Sequence, residues 1–236
     1  MKRLEKIYEG KAKILYATED PDLVIQYFKD DASAFNGVKK GTIVDKGVVN
    51  NHVTTRIFQY LEEHGVPTHL VRQLSDRELL TRKLDIIKVE VVLRNVVAGS
   101  LAKRMGLPEG RILNNPILEF YYKDDDLGDP MINEYHIREF GLATDEEMAQ
   151  LKEYGFRVNE LLVDFFKKRG IRLVDFKLEF GRHKGKILLG DEISPDGCRL
   201  WDWETNEKMD KDRFRFNLGK VEEKYQEVYH LICDTP

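Results

Sequence analysis

Cysteine is nearly absent from this 236-residue chain, which carries only Cys198 and Cys233. The two lack metal-ligand spacing, so neither a disulfide framework nor a zinc site is expected, and reduced thiols are. The histidines His52, His64, His69, His136, His183 and His230 show no H-x-x-x-H or similar spacing, and none is assigned to catalysis. No apolar run approaches the length of a membrane span, and the basic start Met1-Lys2-Arg3 leads into no signal-peptide core. A cytoplasmic protein without a membrane partner is therefore expected. Excess charge is also scarce. A net charge of −4 argues against general nucleic-acid binding, although it allows a local basic pocket for a small phosphorylated ligand. The glycine loops GxxxxGK[ST] and GxGxxG are missing, which removes the main support for Walker-type and Rossmann nucleotide sites. No internal repeat or low-complexity tract interrupts the chain.

With 42% hydrophobic and 34% charged residues, the composition fits a soluble globular protein with a substantial core, built as one large domain or two small lobes. Ile7-Tyr8, Lys13 to Tyr16 and Leu23 to Phe28 read as strands of a small antiparallel lobe. Val49, Val53, Ile57, Tyr60 and Leu61 follow helical spacing, with Gly65 as the stop just after His64. The crossing Lys83-Leu84-Asp85-Ile86 leads into a strand, Ile87 to Leu93, and divides the chain into a lobe at 1–84 and a larger one at 85–236. Downstream, Thr144 and Glu147 form a capping box that opens a helix carrying Met148, Leu151, Val158, Leu161, Leu162 and Phe165, with Gly170 beyond its end. Asp210 is expected to start a last helix, striped by Phe214, Leu218, Val221, Tyr225, Val228 and Ile232. The polar, acidic stretch from Tyr121 to Pro130 suits either a loop over a site or a surface turn.

The stretch from Leu173 to Arg199 is richest in chemistry. Val174, Phe176, Leu178 and Phe180 alternate with Asp175, Lys177 and Glu179, which sends the apolar set into a core and the charged set to the opposite face. A turn at Gly181 to Gly185 precedes a second apolar run, Lys186 to Gly190, ending in Asp191-Glu192. Carboxylates on a rigid sheet suit Mg²⁺, which prefers oxygen ligands and borrows some from nucleotide phosphates. Ser194-Pro195-Asp196-Gly197 and then Arg199 follow, placing a phosphate-type donor beside the acidic cluster. The competing reading is a solvated face of a two-stranded ribbon. A hairpin centred on that turn would set Asp191 nearer Asp175 and Lys177 than Glu179, so a metal shared by Glu179 and Asp191 requires an offset register or splayed strands.

Two further segments could hold phosphate. Gly10-Lys11-Ala12-Lys13 joins two strands, where the glycine permits close backbone approach and lysine supplies charge, in the manner of a kinase phosphate-covering loop; a basic surface hairpin would look the same. Arg94-Asn95-Val96-Val97-Ala98-Gly99-Ser100 follows a strand and precedes the helical Leu101-Ala102-Lys103-Arg104. Ser100 is expected to cap that helix and, with Arg94, to form an anion site. Asp31 to Gly37, followed by Lys39-Lys40, reads as a turn-rich loop.

Together, YEGKAK at Tyr8 to Lys13, SAFNG at Ser33 to Gly37, VEVVLRNVVAGS at Val89 to Ser100, LVDFKLEFG at Leu173 to Gly181 and GDEISPDGCRLWD at Gly190 to Asp202 resemble the SAICAR synthetase family over nearly the whole chain. The resemblance implies an α+β fold of two lobes, the first similar to a kinase N-lobe, and a homodimer. It implies an ATP-dependent ligase that joins L-aspartate to the carboxylate of the purine intermediate CAIR through an acyl phosphate, with Mg²⁺. Carried onto this sequence, Gly10, Lys11, Ala12 and Lys13 would hold ATP phosphates, and the crossing with Lys83 and Ile86 would receive adenine. Glu179 and Asp191 would carry the metal. Lys177 and Asp175 would stand at the reacting carboxylate, and Arg94, Ser100 and Arg199 would bind the CAIR phosphate. Ser33, Asp196 and Arg215 are the further substrate contacts implied. Asn36 stands where some relatives carry Asp, and Tyr135-His136 departs from the family pattern, so neither position is given an essential role.

Two alternatives use the same residues. A small-molecule kinase could transfer phosphate to a hydroxyl with the same lobes and acidic pair, although the H-R-D loop of protein kinases is missing. A nucleotide-binding regulator could keep the fold without turnover, against which the intact Lys177, Glu179 and Asp191 set weighs.

Overall fold

In the computed structural model, which describes residues 1–34 and 37–234, the period-two segments build two antiparallel sheets that meet at residues 83–84. The first takes β1 (Lys6–Glu9), β2 (Lys13–Ala17) and β3 (Leu23–Phe28). The chain then leaves it for a ribbon, β4 (Asp31–Ala34) with β5 (Lys39–Thr42), and for α1 (Lys46–Glu63). It returns with β6 (Leu70–Ser75) and β7 (Glu78–Arg82), which complete the order β1-β2-β3-β7-β6. The segment from Asp31 to Gly37, expected as a turn-rich loop, thus begins with a strand, Asp31–Ala34, paired to Lys39–Thr42; Phe35 and Asn36 lie outside the described residues.

The second sheet begins with β8 (Asp85–Val96). Then follow α2 (Gly99–Met105), β9 (Ile112–Tyr122), β10 (Met131–Ile132), α3 (Glu134–Glu139) and α4 (Asp145–Lys167). The hairpin β11 (Ile171–His183) and β12 (Lys186–Leu189) precedes β13 (Cys198–Asp202), α5 (Asp212–Arg215) and α6 (Val221–Tyr229), and a π-helical turn, His230–Asp234, ends the described chain. The order is β10-β9-β8-β11-β12, with β13 also paired to β11. The fold class is α+β, as expected.

Capping chemistry sets the helices. Thr144 and Glu147 form the reciprocal box at the start of α4, and α1 ends where Gly65 takes positive φ. The last helix departs from expectation. Asn217, Gly219 and Lys220 all have positive φ, a geometry that no α-helix continues through, so the stripe from Phe214 to Ile232 is cut into α5 and α6. One face of the second sheet packs on α4: Val91 and Leu93 of β8 and Phe176, Leu178 and Phe180 of β11 join Leu151, Val158 and Leu162 in one core. Burying each such side chain stabilises the fold by on the order of 2 kcal/mol. The same core takes in Phe28 and Leu79 of the first sheet and Val53 and Phe58 of α1, so it runs unbroken across residues 83–84.

A buried polar hub also ties the halves together. Lys46, at the start of α1, is fully buried and donates to Asp196 at 3.0 Å, while Lys211 donates at 3.1 Å and the Tyr225 hydroxyl at 2.8 Å to the same carboxylate. Burial would raise the Asp196 pKa, but Lys46 and Lys211 override it and hold the carboxyl far below its ordinary value. Removing one partner of a buried pair leaves an uncompensated charge. Asp196→Ala is therefore expected to lose about 3–5 kcal/mol in urea denaturation. Lys11→Ala, which breaks an exposed pair with Asp125, should leave the midpoint in place. Similar midpoints for the two variants would show that the hub does not hold the fold.

Candidate active site

The charged face of β11 lies in the angle between the sheets, and the register of its neighbours decides what each charge meets. Asp175 is flanked in the ladder by Arg94 of β8 on one side and Arg199 of β13 on the other, and Glu179 stands opposite Glu90 of β8. Gly181 to His183 belong to the strand rather than to a turn. The connection is the two-residue turn Lys184-Gly185, both residues at positive φ, as a tight hairpin requires. That change pairs Phe180 with Leu189 and brings Gly190 level with Glu179, to whose carbonyl the Gly190 amide donates at 2.8 Å, so that Asp191 follows one residue beyond. Gly190 passes close to the joint between the sheets, where a Cβ would stand 2.7 Å from Leu84 Cδ1 and that side chain would have to shift. Asp191 lies in the left-handed region at φ 55°.

Around Asp175 the charges alternate. Arg94 donates to Asp175 at 2.9 Å, to Glu119 at 2.6 Å, to the Ser100 hydroxyl at 2.9 Å and to the Tyr121 hydroxyl at 3.0 Å. Arg199 donates to both Asp175 oxygens, at 3.0 and 2.9 Å, and to Asp212 at 3.0 Å. Asp212 also accepts from Arg215 at 2.7 Å. Burial, only partly offset by Arg199 and Arg94, pushes the Asp175 carboxyl above its ordinary value. A cavity of about 230 Å³ opens onto this group, lined among others by Arg94, Ser100, Asp175, Lys177 and Arg199. Ser100 does not cap α2. Ala98 holds that position, and the Ser100 hydroxyl turns to Arg94 instead. Gly99, at φ 53°, is required twice over, since a Cβ there would come within 2.5 Å of Arg199 Nη2.

Two β11 positions further on, Lys177 gathers three carboxylates. It pairs closely with Glu179, donates to Glu90 at 3.0 Å and stands 3.7 Å from Asp191. Lys13 of β2 reaches across from the first sheet to pair with Asp191 and, at 3.2 Å, with Glu192, and Lys123 donates to Glu179 at 2.9 Å. Burial alone would lower the Lys177 pKa, but Glu179, Asp191 and Glu90 reverse this and hold the ammonium well above its ordinary value. Burial likewise works against ionised Asp191, and Lys13 and Lys177 keep it ionised far below the usual carboxylate range. A second cavity, of about 630 Å³, extends from here between the sheets, past Lys83, Leu84 and Ile86 to an apolar wall with Leu15 and Val24. Among the described residues no group of three His, Cys, Asp or Glu side chains is poised to hold a metal ion. Glu179 and Asp191 nevertheless share one cation, Lys177, so the pair suits a hard divalent ion whose remaining ligands are phosphate oxygens.

Lys177, Asp175, Arg94, Ser100 and Arg199 thus converge on one cavity, and Lys13, Lys83, Ile86, Glu179 and Asp191 line the other. Gly10, Lys11 and Ala12 form the turn between β1 and β2, and Lys11 pairs at 2.7 Å with Asp125 in the acidic 123–130 loop. Three expected substrate residues stand apart. Asp196 is engaged by Lys46, Lys211 and Tyr225 behind the Gly197 wall, Arg215 lies beyond Asp212, and Ser33 sits on the β4–β5 ribbon. Glu90, Glu119, Tyr121 and Lys123 escaped the sequence reading. The alternation of Glu119 and Tyr121 with the apolar Leu118 and Phe120 was the available signal.

Comparison with known proteins agrees with the geometry. Residues 6–232 match the SAICAR synthetase family. A phosphoribosylaminoimidazole-succinocarboxamide synthase of Chlorobium chlorochromatii is 61% identical over 99% of this chain and 100% of its own length. The crystal structure of the enzyme of that name from Ehrlichia chaffeensis superposes with a TM-score of 0.95 at 47% identity, covering 98% of this chain and all of the other. A SAICAR synthetase solved in complex with ADP gives a TM-score of 0.93 at 50% identity, over 97% of each chain.

His69 lines the larger cavity and is nearly fully buried. Burial, aided by Lys13, lowers its pKa to about 3. The unfolded chain takes up this proton below about pH 6.5, but the folded chain does not until about pH 3, so stability falls as the pH drops through that window. At pH 5 the loss is about 2 kcal/mol. Urea titrations at pH 7.5 and 5.0 should show His69→Gln losing less than the parent by about that amount, and equal losses would mean that the imidazole protonates within the fold.

Proposed function

The chain belongs to the SAICAR synthetase family, ligases of purine biosynthesis, and on that premise we propose that it joins L-aspartate to the carboxylate of 5-amino-1-(5-phospho-D-ribosyl)imidazole-4-carboxylate (CAIR), consuming ATP. What carries this reading is the position of Lys177, which lines the cavity with Arg94 and Arg199 and also pairs with Glu179 and Asp191 of the larger cleft. A carboxylate lying against Lys177 would therefore meet a nucleotide's terminal phosphate.

A carboxylate is a poor electrophile at neutral pH. In the proposed path, a CAIR carboxylate oxygen attacks the γ-phosphorus of ATP, the bond to ADP breaks and an acyl phosphate forms. The aspartate amine then attacks the acyl carbon, phosphate leaves with that oxygen, and the amine nitrogen sheds its protons to give the amide. Positioning and charge neutralisation do most of this work. Lys13 and Lys177 offset the negative charge of the phosphates and the carboxylate, and Gly10, Lys11 and Ala12 cover the phosphates. Lys83 and Ile86 flank the base. Arg94, Ser100 and Arg199 bind the CAIR phosphate, for which a planar guanidinium fork is suited. Asp175 keeps both forks aimed by accepting from each. Glu179 and Asp191 would hold Mg²⁺, which, when bound, neutralises phosphoryl charge. Ser33 is assigned to the aspartate end in this reading, with Asp196 and Arg215 as further substrate residues, and the reading also includes a cytoplasmic homodimer.

ADP release that requires both CAIR and aspartate is the decisive assay: a kinase would release ADP with a hydroxyl acceptor alone, and a regulator would release none. Oxygen-18 in the CAIR carboxylate should appear in the released phosphate, and label retained wholly in the product would exclude the acyl phosphate. Asp191→Asn should fold, because Asn tolerates the left-handed backbone found there. Its turnover should fall about a hundredfold or more, with partial recovery at raised Mg²⁺; near-normal turnover at limiting Mg²⁺ would remove Asp191 from the metal site.

A further inference from the structure

Buried polar atoms in folded proteins almost always have hydrogen-bond partners, and those without one require an explanation. In this chain three residues that carry such atoms line one space. Gln26 Oε1, His69 Nε2 and Thr81 Oγ1 are buried without a partner, and all three residues line the 630 Å³ cleft. Their side chains are 7%, 2% and 0% exposed. They do not meet by chance of surface position. Gln26 is paired with Leu79 across β3 and β7, which sets Thr81 on the same sheet face two residues along. His69 is held beside them because its backbone amide donates to the Leu189 carbonyl at 2.8 Å, and its ring packs edge-on to Phe58 at 5.5 Å. The surrounding wall is apolar, with Leu15, Val24, Leu84 and Ile86. A pocket with an apolar wall and a few buried polar atoms, charged residues lying at its other end, is the form of a site for a heteroaromatic ring joined to phosphates.

We propose that Gln26, His69 and Thr81 are the residues that read the edge of the nucleotide base and select a 6-aminopurine over a 6-oxopurine. The proposal rests on the reading of this cleft as the nucleotide site. The amide oxygen of Gln26 can only accept, so it matches the exocyclic amine of adenine and opposes the carbonyl oxygen that hypoxanthine or guanine presents at the same place. The Thr81 hydroxyl can donate to a ring nitrogen or accept from the amine. Neutral His69, which keeps one ring nitrogen free of hydrogen, can accept as well. A 6-oxopurine would set its carbonyl against the Gln26 oxygen and leave that buried acceptor unpaired, whereas Thr81 and His69 orient the ring, and a buried group left unpaired by the wrong base discriminates strongly because water does not make up the loss.

Direct binding of ADP and of inosine 5′-diphosphate, measured by calorimetry on the full chain, tests the inference without turnover. The parent should bind ADP at least tenfold more tightly than inosine diphosphate. Gln26→Leu, His69→Leu and Thr81→Val each replace the polar atom by an apolar group, and at least one should cut that ratio threefold or more while retaining a cooperative melt. A parent ratio near one overturns the proposal, as does a ratio that all three folded variants leave unchanged. Lys13→Ala separates the two readings. If it weakens both nucleotides alike while the ratio ignores the three substitutions, only the base-reading set falls; if it leaves ADP binding intact, the nucleotide cleft itself is misplaced.

Discussion

A thirteen-residue strand buried on both faces can carry charge only if every charge on it is met, and β11 is such a strand. Its even positions supply the apolar core over α4, and its odd positions carry Asp175, Lys177 and Glu179 into the angle between the sheets. Isolated ions there would be too costly to desolvate. The neighbouring strands answer each one, with Arg94 and Arg199 on Asp175 and with Glu90 and Asp191 about Lys177. Once this compensation is required, the register of β8, β12 and β13 is constrained along with it, because a slip of one residue would send every partner to the opposite face.

The same requirement explains why two cavities share a wall. The ion pairs continue from Arg104 through Glu119, Arg94, Asp175, Arg199 and Asp212 to Arg215. This row lies at the smaller cavity, while Lys13 and Lys123 lie at the larger. Lys177 lines the smaller one and pairs with Glu179 and Asp191 of the larger. In the proposed transfer of a phosphoryl group from a nucleotide to a carboxylate, charge must be neutralised on both sides of the transfer at once, and a lysine on a rigid strand would do so without reorganisation.

Such networks contribute more to placement than to net stability. Buried ion pairs roughly break even against apolar packing, whereas loss of one partner costs several kcal/mol. The apolar core common to both sheets therefore carries the fold, and the charges fix the orientation of the groups that line the two cavities. Gly99 shows how little freedom this leaves, with its Cα against the Arg199 guanidinium. Lys46, buried on Asp196, shows the same economy at the start of α1.

The local patterns were legible from the chain alone: the alternation of β11, the capping box of α4, the stop of α1 and the strands of the first sheet all follow from short-range periodicity and turn chemistry. The charged face of β11 was legible in the same way, whereas Arg94, Arg199, Lys13 and Asp191 were marked as site residues chiefly by motifs shared with the SAICAR synthetase family, because a surface hairpin or an ordinary helix cap reads the same locally. Only the tertiary structure decided the rest. The two-residue turn at Lys184-Gly185 set the hairpin register, and the ladder from β13 brought Arg199 to Asp175. The crossing of the sheets brought Lys13 onto Asp191, and β9, unrecognised beforehand, supplied Glu119 and Tyr121. These contacts join residues up to 178 positions apart, and no local propensity encodes which distant partner will neutralise a charge. That choice falls to whichever packing of the sheets buries the apolar faces and leaves no ion unpaired.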